Sequence, residues 1–205
     1  MIAIVDYGVG NLFSLKSSFA ALGVQAVVTS DIKTLEEADG IILPGVGAFG
    51  DAAKKLRDSG LFYPLKDLAK NGKPLMGICL GMQLLFEKGY EYGEHEGLGL
   101  IKGSVKPISD VIPKDLKIPH IGWNPLKFKG NNPLFKNIKE GDCVYFVHSF
   151  YAADCEENTI ATAEYGADLT AAVADKNVMG CQFHPEKSGK VGLEILRAFS
   201  QMRGE

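Results

Sequence analysis

The chain has 205 residues, 46% hydrophobic and 23% charged, with a formal net charge of −3. A chain of that length buries a sizeable core without disulfides or metal, and it has no global basic excess to hold a nucleic-acid backbone. No segment approaches the ~20 apolar residues of a membrane span, and the four cysteines, none in a C-x-x-C pair, fit a reducing compartment better than a disulfide framework.

Met1 to Asp6 is apolar, but it lacks the length and basic flank of a secretion signal. The expectation is a cytoplasmic protein. Ile2 to Val5 reads as a short buried strand ended by Asp6-Tyr7-Gly8. Asn11 suits the N-cap of a helix running to Leu22, with Gly23 where a terminating glycine belongs. Val24 to Thr29 is β-rich, and Gly40 to Leu43 is a second buried-type strand ended by Pro44-Gly45. Helical patterns follow at Asp51 to Arg57 and Tyr63 to Asn71, with Gly72 as the stop. Short apolar strands alternating with helices predict a parallel sheet covered on both faces. Ligands of such sheets collect at the carboxyl ends of the strands.

Pro74-Leu75-Met76 then leads into Gly77-Ile78-Cys79-Leu80-Gly81, followed by the amphipathic run Met82 to Glu87. The order reads as strand, tight turn, helix. It is the G-x-nucleophile-x-G elbow with sulfur in place of the serine oxygen. The flanking glycines allow a sharp turn, and the helix N-terminus beyond it favours a thiolate. From Leu98 to Phe183 the chain is rich in short β segments, among them Cys143 to Val147, Ala161 to Ala163 and Ala171 to Ala174. These are expected to extend the sheet with antiparallel strands. The lysines between Lys102 and Lys139 are scattered among prolines and acids and read as a solvated face or, at most, part of a docking surface. Gly180-Cys181-Gln182-Phe183-His184-Pro185-Glu186 ends an apolar strand. His184 and Glu186, two apart in extended backbone, point to the same side, as a general base and its orienting acid would. With Cys79 they form a candidate nucleophilic triad. Val191 to Met202 carries a helical apolar face.

Gly77-Ile78-Cys79-Leu80-Gly81-Met82-Gln83 and His184-Pro185-Glu186 resemble the two signatures of triad-type (class I) glutamine amidotransferases. The segments Asp6 to Asn11, Pro44 to Phe49, Ile121 to Asn124 and Tyr145 to Ser149 are similar to those of the glutaminase subunits of imidazole glycerol phosphate synthases, a family of histidine biosynthesis. The resemblance runs end to end. It implies one glutamine amidotransferase type-1 domain over residues 1–205, with a flavodoxin-like, three-layer α/β fold around a mostly parallel central sheet. It implies glutamine hydrolysis with no cofactor and no metal, and a heterodimer with a separate (β/α)₈ cyclase that uses the ammonia. That cyclase makes imidazole glycerol phosphate and an aminoimidazole carboxamide ribotide. No membrane or nucleic-acid partner is expected.

The Leu80 amide at the elbow suits one oxyanion donor; by resemblance the other comes from the Gly45-Val46-Gly47 loop, at Val46 or Gly47. Gln83 stands one helical turn beyond Cys79. By resemblance Gln83, Glu91, His148, Ser149 and Phe150 line the glutamine pocket, and Asn11, Trp123 and Lys187 face the partner. Other readings remain open: a related cysteine peptidase, a non-enzymatic regulatory subunit, or a glutaminase serving another acceptor such as pyridoxal phosphate synthesis. Gly8-Val9-Gly10 lacks the third glycine of a dinucleotide loop, Phe13 standing in its place. Cys181-x-x-His184 has no second ligand pair of zinc-like spacing.

Overall fold

The computed structural model describes residues 1–202. Strand β1 (Ile2–Val5) is followed by helix α1 (Leu12–Ala21), β2 (Ala26–Thr29), α2 (Ile32–Glu37), β3 (Gly40–Leu43), α3 (Phe49–Asp58), α4 (Phe62–Lys70) and β4 (Leu75–Ile78). A one-turn helix, α5 (Leu80–Gln83), comes next, then β5 (Phe86–Gly89), β6 (His95–Glu96), β7 (Ile101–Pro107), β8 (His120–Pro125) and β9 (Lys127–Phe128). The remainder is β10 (Cys143–His148), β11 (Phe150–Ala153), β12 (Thr159–Glu164), β13 (Asp168–Asp175), β14 (Val178–Cys181) and α6 (Gly189–Ser200). Asn11 caps α1 as expected, its Oδ1 accepting from the Ser14 amide at 3.4 Å. Gly23 and Gly72 take the positive φ of helix-ending residues, at 69° and 89°.

The main sheet runs β2-β1-β3-β4-β14-β13-β12-β9. Its first five strands are parallel and the last three antiparallel; Ala161 to Ala163 and Ala171 to Ala174 extend the sheet as expected, whereas Cys143 to Val147 pairs with β8 in a separate sheet. β1, β3, β4 and β14 are buried at every residue, because successive side chains enter opposite cores. Ala3, Val5, Ile41 and Leu43 join Leu35, Phe49, Leu56 and Leu65 from α2, α3 and α4. Ile2, Ile4 and Ile42 join Leu15 and Phe19 of α1 and Ile195, Leu196 and Phe199 of α6. Three layers result, each fully buried aliphatic or aromatic side chain contributing about 1.5–3 kcal/mol. Two smaller sheets, β10-β8 and β11-β7-β5-β6, pack beside them.

One expectation fails locally. The helix after Cys79 is a single turn, and Phe86 and Glu87 belong to β5, which pairs with β7. The run from Leu80 to Phe86 is buried on all sides, so it has no solvent face to hold a longer amphipathic helix. The parallel strand direction puts the Tyr7-Gly8 turn, the Pro44 to Gly47 loop, Cys79 and the Gln182 to Glu186 segment at one end of the sheet.

Candidate active site

Cys79 ends β4 in a strained conformation, φ 54° and ψ −113°, a sparsely populated region for a residue with a Cβ. Its amide donates to the Cys181 carbonyl at 2.8 Å, so pairing with β14 persists until the chain turns. The two elbow glycines are required by close packing. A Cβ on Gly77 would stand 2.5 Å from the Gly81 carbonyl oxygen, and one on Gly81 would overlap the Leu43 carbonyl oxygen of β3. Gly45 is equally confined: a Cβ there would stand 2.7 Å from the Gly81 amide nitrogen. The Pro44 to Gly47 loop therefore lies directly on α5. Gly47 has φ 96°, and Tyr7 pins the loop by donating its hydroxyl to the Pro44 carbonyl at 2.7 Å. Leu80 is the first residue of α5, so its amide is among those with no intrahelical acceptor.

His184 reaches the elbow from the end of β14. Its Nδ1 lies 2.8 Å from Glu186 Oε1, and both side chains are almost wholly buried. The pair is not held by extended backbone. Residues Pro185–Lys187 form a 3-10 turn, which starts with the proline and curls Glu186 back under the imidazole. Ser188 braces the turn, accepting from the Tyr145 amide at 2.9 Å and donating to the His184 carbonyl at 2.7 Å. Burial pulls the His184 pKa down. Hydrogen bonding to Cys79 and Glu186, and the negative charge of both, outweigh burial and lift it to about 9. Glu186 Oε2 is buried with no hydrogen-bond partner among the described residues.

Cys79, Leu80, His184, Val46 and Gly47 line one cleft of about 320 Å³. Gln83, Glu91, His148, Ser149 and Phe150 line it too, as does Lys187 at the rim. With Glu186 bonded behind His184, the residues expected at the triad, the oxyanion loop and the substrate pocket are thus in one place. Glu91 also has a structural role. Its Oε2 accepts from the Phe49 amide at 2.8 Å, capping α3, whose N-cap residue Ala48 offers no side-chain acceptor. Lys187 is exposed, with its ammonium 5.9 Å over the Tyr145 ring. Trp123 is 54% exposed on β8, and Asn11 is half-buried with its side chain committed to the α1 cap. Neither lines the cleft. No cluster of metal-ligating side chains exists among the described residues, and no described helix is long and apolar enough to cross a membrane.

Two residues that the sequence did not single out lie behind the cleft lining, each hydrogen-bonded to a residue that lines it. His120 is buried between Phe146 and Tyr165. Its Nδ1 lies 3.0 Å from His148 Nε2, its Nε2 lies 2.8 Å from Asn124 Oδ1, and His148 Nδ1 lies 2.8 Å from the Phe150 carbonyl. Oxygen acceptors bracket the imidazole pair, so three hydrogen bonds require three ring protons, one more than two neutral imidazoles carry. Burial lowers both pKa values, that of His148 to about 4 with help from the charges of His120 and His184. The second residue is Gln182, fully buried, whose Nε2 donates to Cys79 Sγ at 3.7 Å. Gln182 stands two residues before His184, at the bend that follows β14.

A family model described as glutamine amidotransferase class-I matches residues 3–201. The chain is 51% identical to imidazole glycerol phosphate synthase subunit HisH of Sulfurimonas denitrificans, over 99% of each chain. It is 49% identical to the protein of the same name from Caldanaerobacter subterraneus subsp. tengcongensis, over 98% of each. Among solved structures, it aligns with PurLQS from Thermotoga maritima at a TM-score of 0.74 and 22% identity, covering 97% of this chain and 96% of that one. A structure described as a glutamine amidotransferase aligns at 0.75 and 21% identity, over 97% of each. At those identities the structures speak for the fold.

Proposed function

The chain belongs to the class-I glutamine amidotransferase family, and from that premise we propose that it hydrolyses glutamine and delivers the ammonia to a separate (β/α)₈ cyclase subunit. The complex is then an imidazole glycerol phosphate synthase of histidine biosynthesis, the name carried by relatives about half identical over nearly the whole chain. The observation that carries the reading is that Cys79 and His184 line one cleft of about 320 Å³, with Glu186 bonded to His184 behind it. The free cysteines and the biosynthetic role suit a cytoplasmic enzyme.

In this reading the Cys79 thiolate attacks the side-chain carbonyl carbon of glutamine. The new C–S bond pushes the carbonyl electrons onto oxygen, where the Leu80 amide and an amide of the Val46-Gly47 loop receive them. The His184 imidazolium gives its proton to the departing nitrogen, the C–N bond breaks, and ammonia leaves a γ-glutamyl thioester. Neutral His184 then takes a proton from water, the hydroxide adds to the thioester, and collapse expels the thiolate and yields glutamate. Glu186 holds the imidazole and stabilises its charged form, in keeping with the raised His184 pKa. Gln83, Glu91, His148, Ser149 and Phe150 hold the substrate, with the Glu91 carboxylate suited to the α-ammonium. Asn11, Trp123 and Lys187 face the cyclase.

The division of labour is testable in the assembled complex. Cys79→Ala should abolish synthesis supplied by glutamine and leave synthesis from added ammonium salt intact, because the cyclase site lies on the other chain. Loss of both would contradict the proposal.

A further inference from the structure

We propose that Gln182 is a positioning residue for the thiol: its carboxamide, clamped by Gln83, holds an N–H donor on Cys79 Sγ. The proposal rests on the reading of Cys79 as nucleophile. Its foundation is a chain of hydrogen bonds whose polarity is set by one backbone atom. The Phe150 carbonyl accepts from Gln83 Nε2 at 3.2 Å, and Gln83 Nε2 donates again, to Gln182 Oε1, at 3.0 Å. Gln182 Nε2 then faces Cys79 Sγ at 3.7 Å.

The two amides cannot be turned over. A flip of Gln182 would set its nitrogen against that of Gln83, forcing Gln83 to flip as well. The Gln83 oxygen would then oppose the Phe150 carbonyl, acceptor against acceptor. A carbonyl has no donor form, so the directions propagate outward from Phe150 and end with N–H on sulfur. Water cannot relieve a misplaced amide, because Gln182 has no exposed surface and Gln83 is 5% exposed. Gln182 is also fixed from behind, its backbone amide donating to the Ala171 carbonyl of β13 at 2.8 Å.

Two consequences follow for the reaction. The sulfur keeps a neutral donor that stays in place through both the acylation and deacylation steps, whereas His184 gives up its proton in the first and takes one from water in the second. Gln83 spends its NH₂ group on Phe150 and Gln182, so it presents an oxygen to the cleft. That oxygen selects a ligand group that can donate, such as the carboxamide or ammonium of glutamine, and disfavours a carboxylate in the same place.

The test reads the thiol directly, in the full-length chain carrying Cys143→Ser to remove the exposed cysteine. Iodoacetamide labelling of Cys79 is followed by peptide mass spectrometry across pH. Gln182→Glu keeps an acceptor for Gln83 but sets an oxygen against the sulfur. Labelling at pH 7 should fall more than tenfold and its pH profile should move upward. Gln182→Met, which removes the donor without adding charge, should give a fall of about tenfold, the lower end for a hydrogen bond to a charged group. Gln83→Ala should shift the profile in the same direction although Gln83 leaves the donor in place, because Gln182 loses its clamp. In the cyclase complex Gln182→Met should lower kcat about tenfold with little change in KM. Folded Gln182→Glu and Gln182→Met proteins that label along the parent profile would overturn the proposal. Should the glutamate variant fail to fold, the methionine and Gln83→Ala variants decide it by the same readout. Labelling needs no glutamine, so absence of glutaminase activity would count against the function and not against this role.

Discussion

Two imidazoles in one cleft are driven in opposite directions. His184 is lifted to about 9 and His148 lowered to about 4, against an ordinary histidine value of 6.5. For His184 the folded state holds its proton more tightly than the unfolded state does. Its stabilisation is full below about pH 6.5 and is lost as pH rises through 9. For His148 the sign reverses: the stabilisation is present above about pH 6.5 and is lost as pH falls toward 4. Thermal melts between pH 4 and 9 should therefore show alkaline and acid losses from these two groups. Glu186→Gln should flatten the alkaline limb, because it removes a group that raises His184, and His148→Gln should flatten the acid limb. Unchanged limbs in either variant would sink the assignment. The pairing of Cys79, His184 and Glu186 was legible in the sequence because each residue sits in a framed motif. His120 and Gln182 were not, because His148, Phe146 and Tyr165 for the one and Cys79 and Gln83 for the other are distant in sequence and leave no local pattern. Nothing before Asn124 and Tyr165 folded against it marked His120 as anything but one histidine among prolines.

The elbow is an element made possible by backbone contact. β4 passes so close to α5, and α5 to the end of β3, that no side chain fits at Gly77 or Gly81. Gly81→Ala must push α5 away from Leu43, and overpacking against rigid backbone costs at least ~2 kcal/mol. For a chain of this size that lowers the melting midpoint by about 4–8 °C. Gly60→Ala is a useful comparison: its φ is also positive, at 77°, but a Cβ there meets no atom within 4 Å. It should cost only the backbone strain, about 1 kcal/mol. Equal losses would argue against the packing account. The strands β1, β3 and β4 were readable because short apolar runs ended in Gly or Pro signals. The run after Cys79 was not, because seven successive buried residues from Leu80 to Phe86 carry no periodicity to separate one helical turn plus a strand from a longer helix. The pairing of β5 with β7 and of β8 with β10 is tertiary information, as is the 3-10 turn that brings Glu186 to His184.

At the scale of the whole molecule, the parallel sheet gathers the chemistry at one end, and the surface also carries apolar side chains in solvent. Trp123 and Ile121 of β8 and Phe13 of α1 are 54%, 58% and 82% exposed. Trp123 contributes little to the fold, packing mainly edge-on against Tyr145. Trp123→Ala should leave the melting midpoint within about 2 °C and weaken cyclase binding at least tenfold, as loss of an aromatic anchor does. Calorimetric titration of the chain with the cyclase measures that affinity directly, and an unchanged value would place the interface elsewhere. The measurement that bears most directly on the central claim is glutamate release from glutamine by the chain alone, with the cyclase, and with the cyclase plus its nucleotide ligand, using Cys79→Ala as control. The account predicts very weak release alone, strong release in the loaded complex, and none above background from the alanine variant. Release that persists in Cys79→Ala, or no Cys79-dependent release under any of the three conditions, would contradict it.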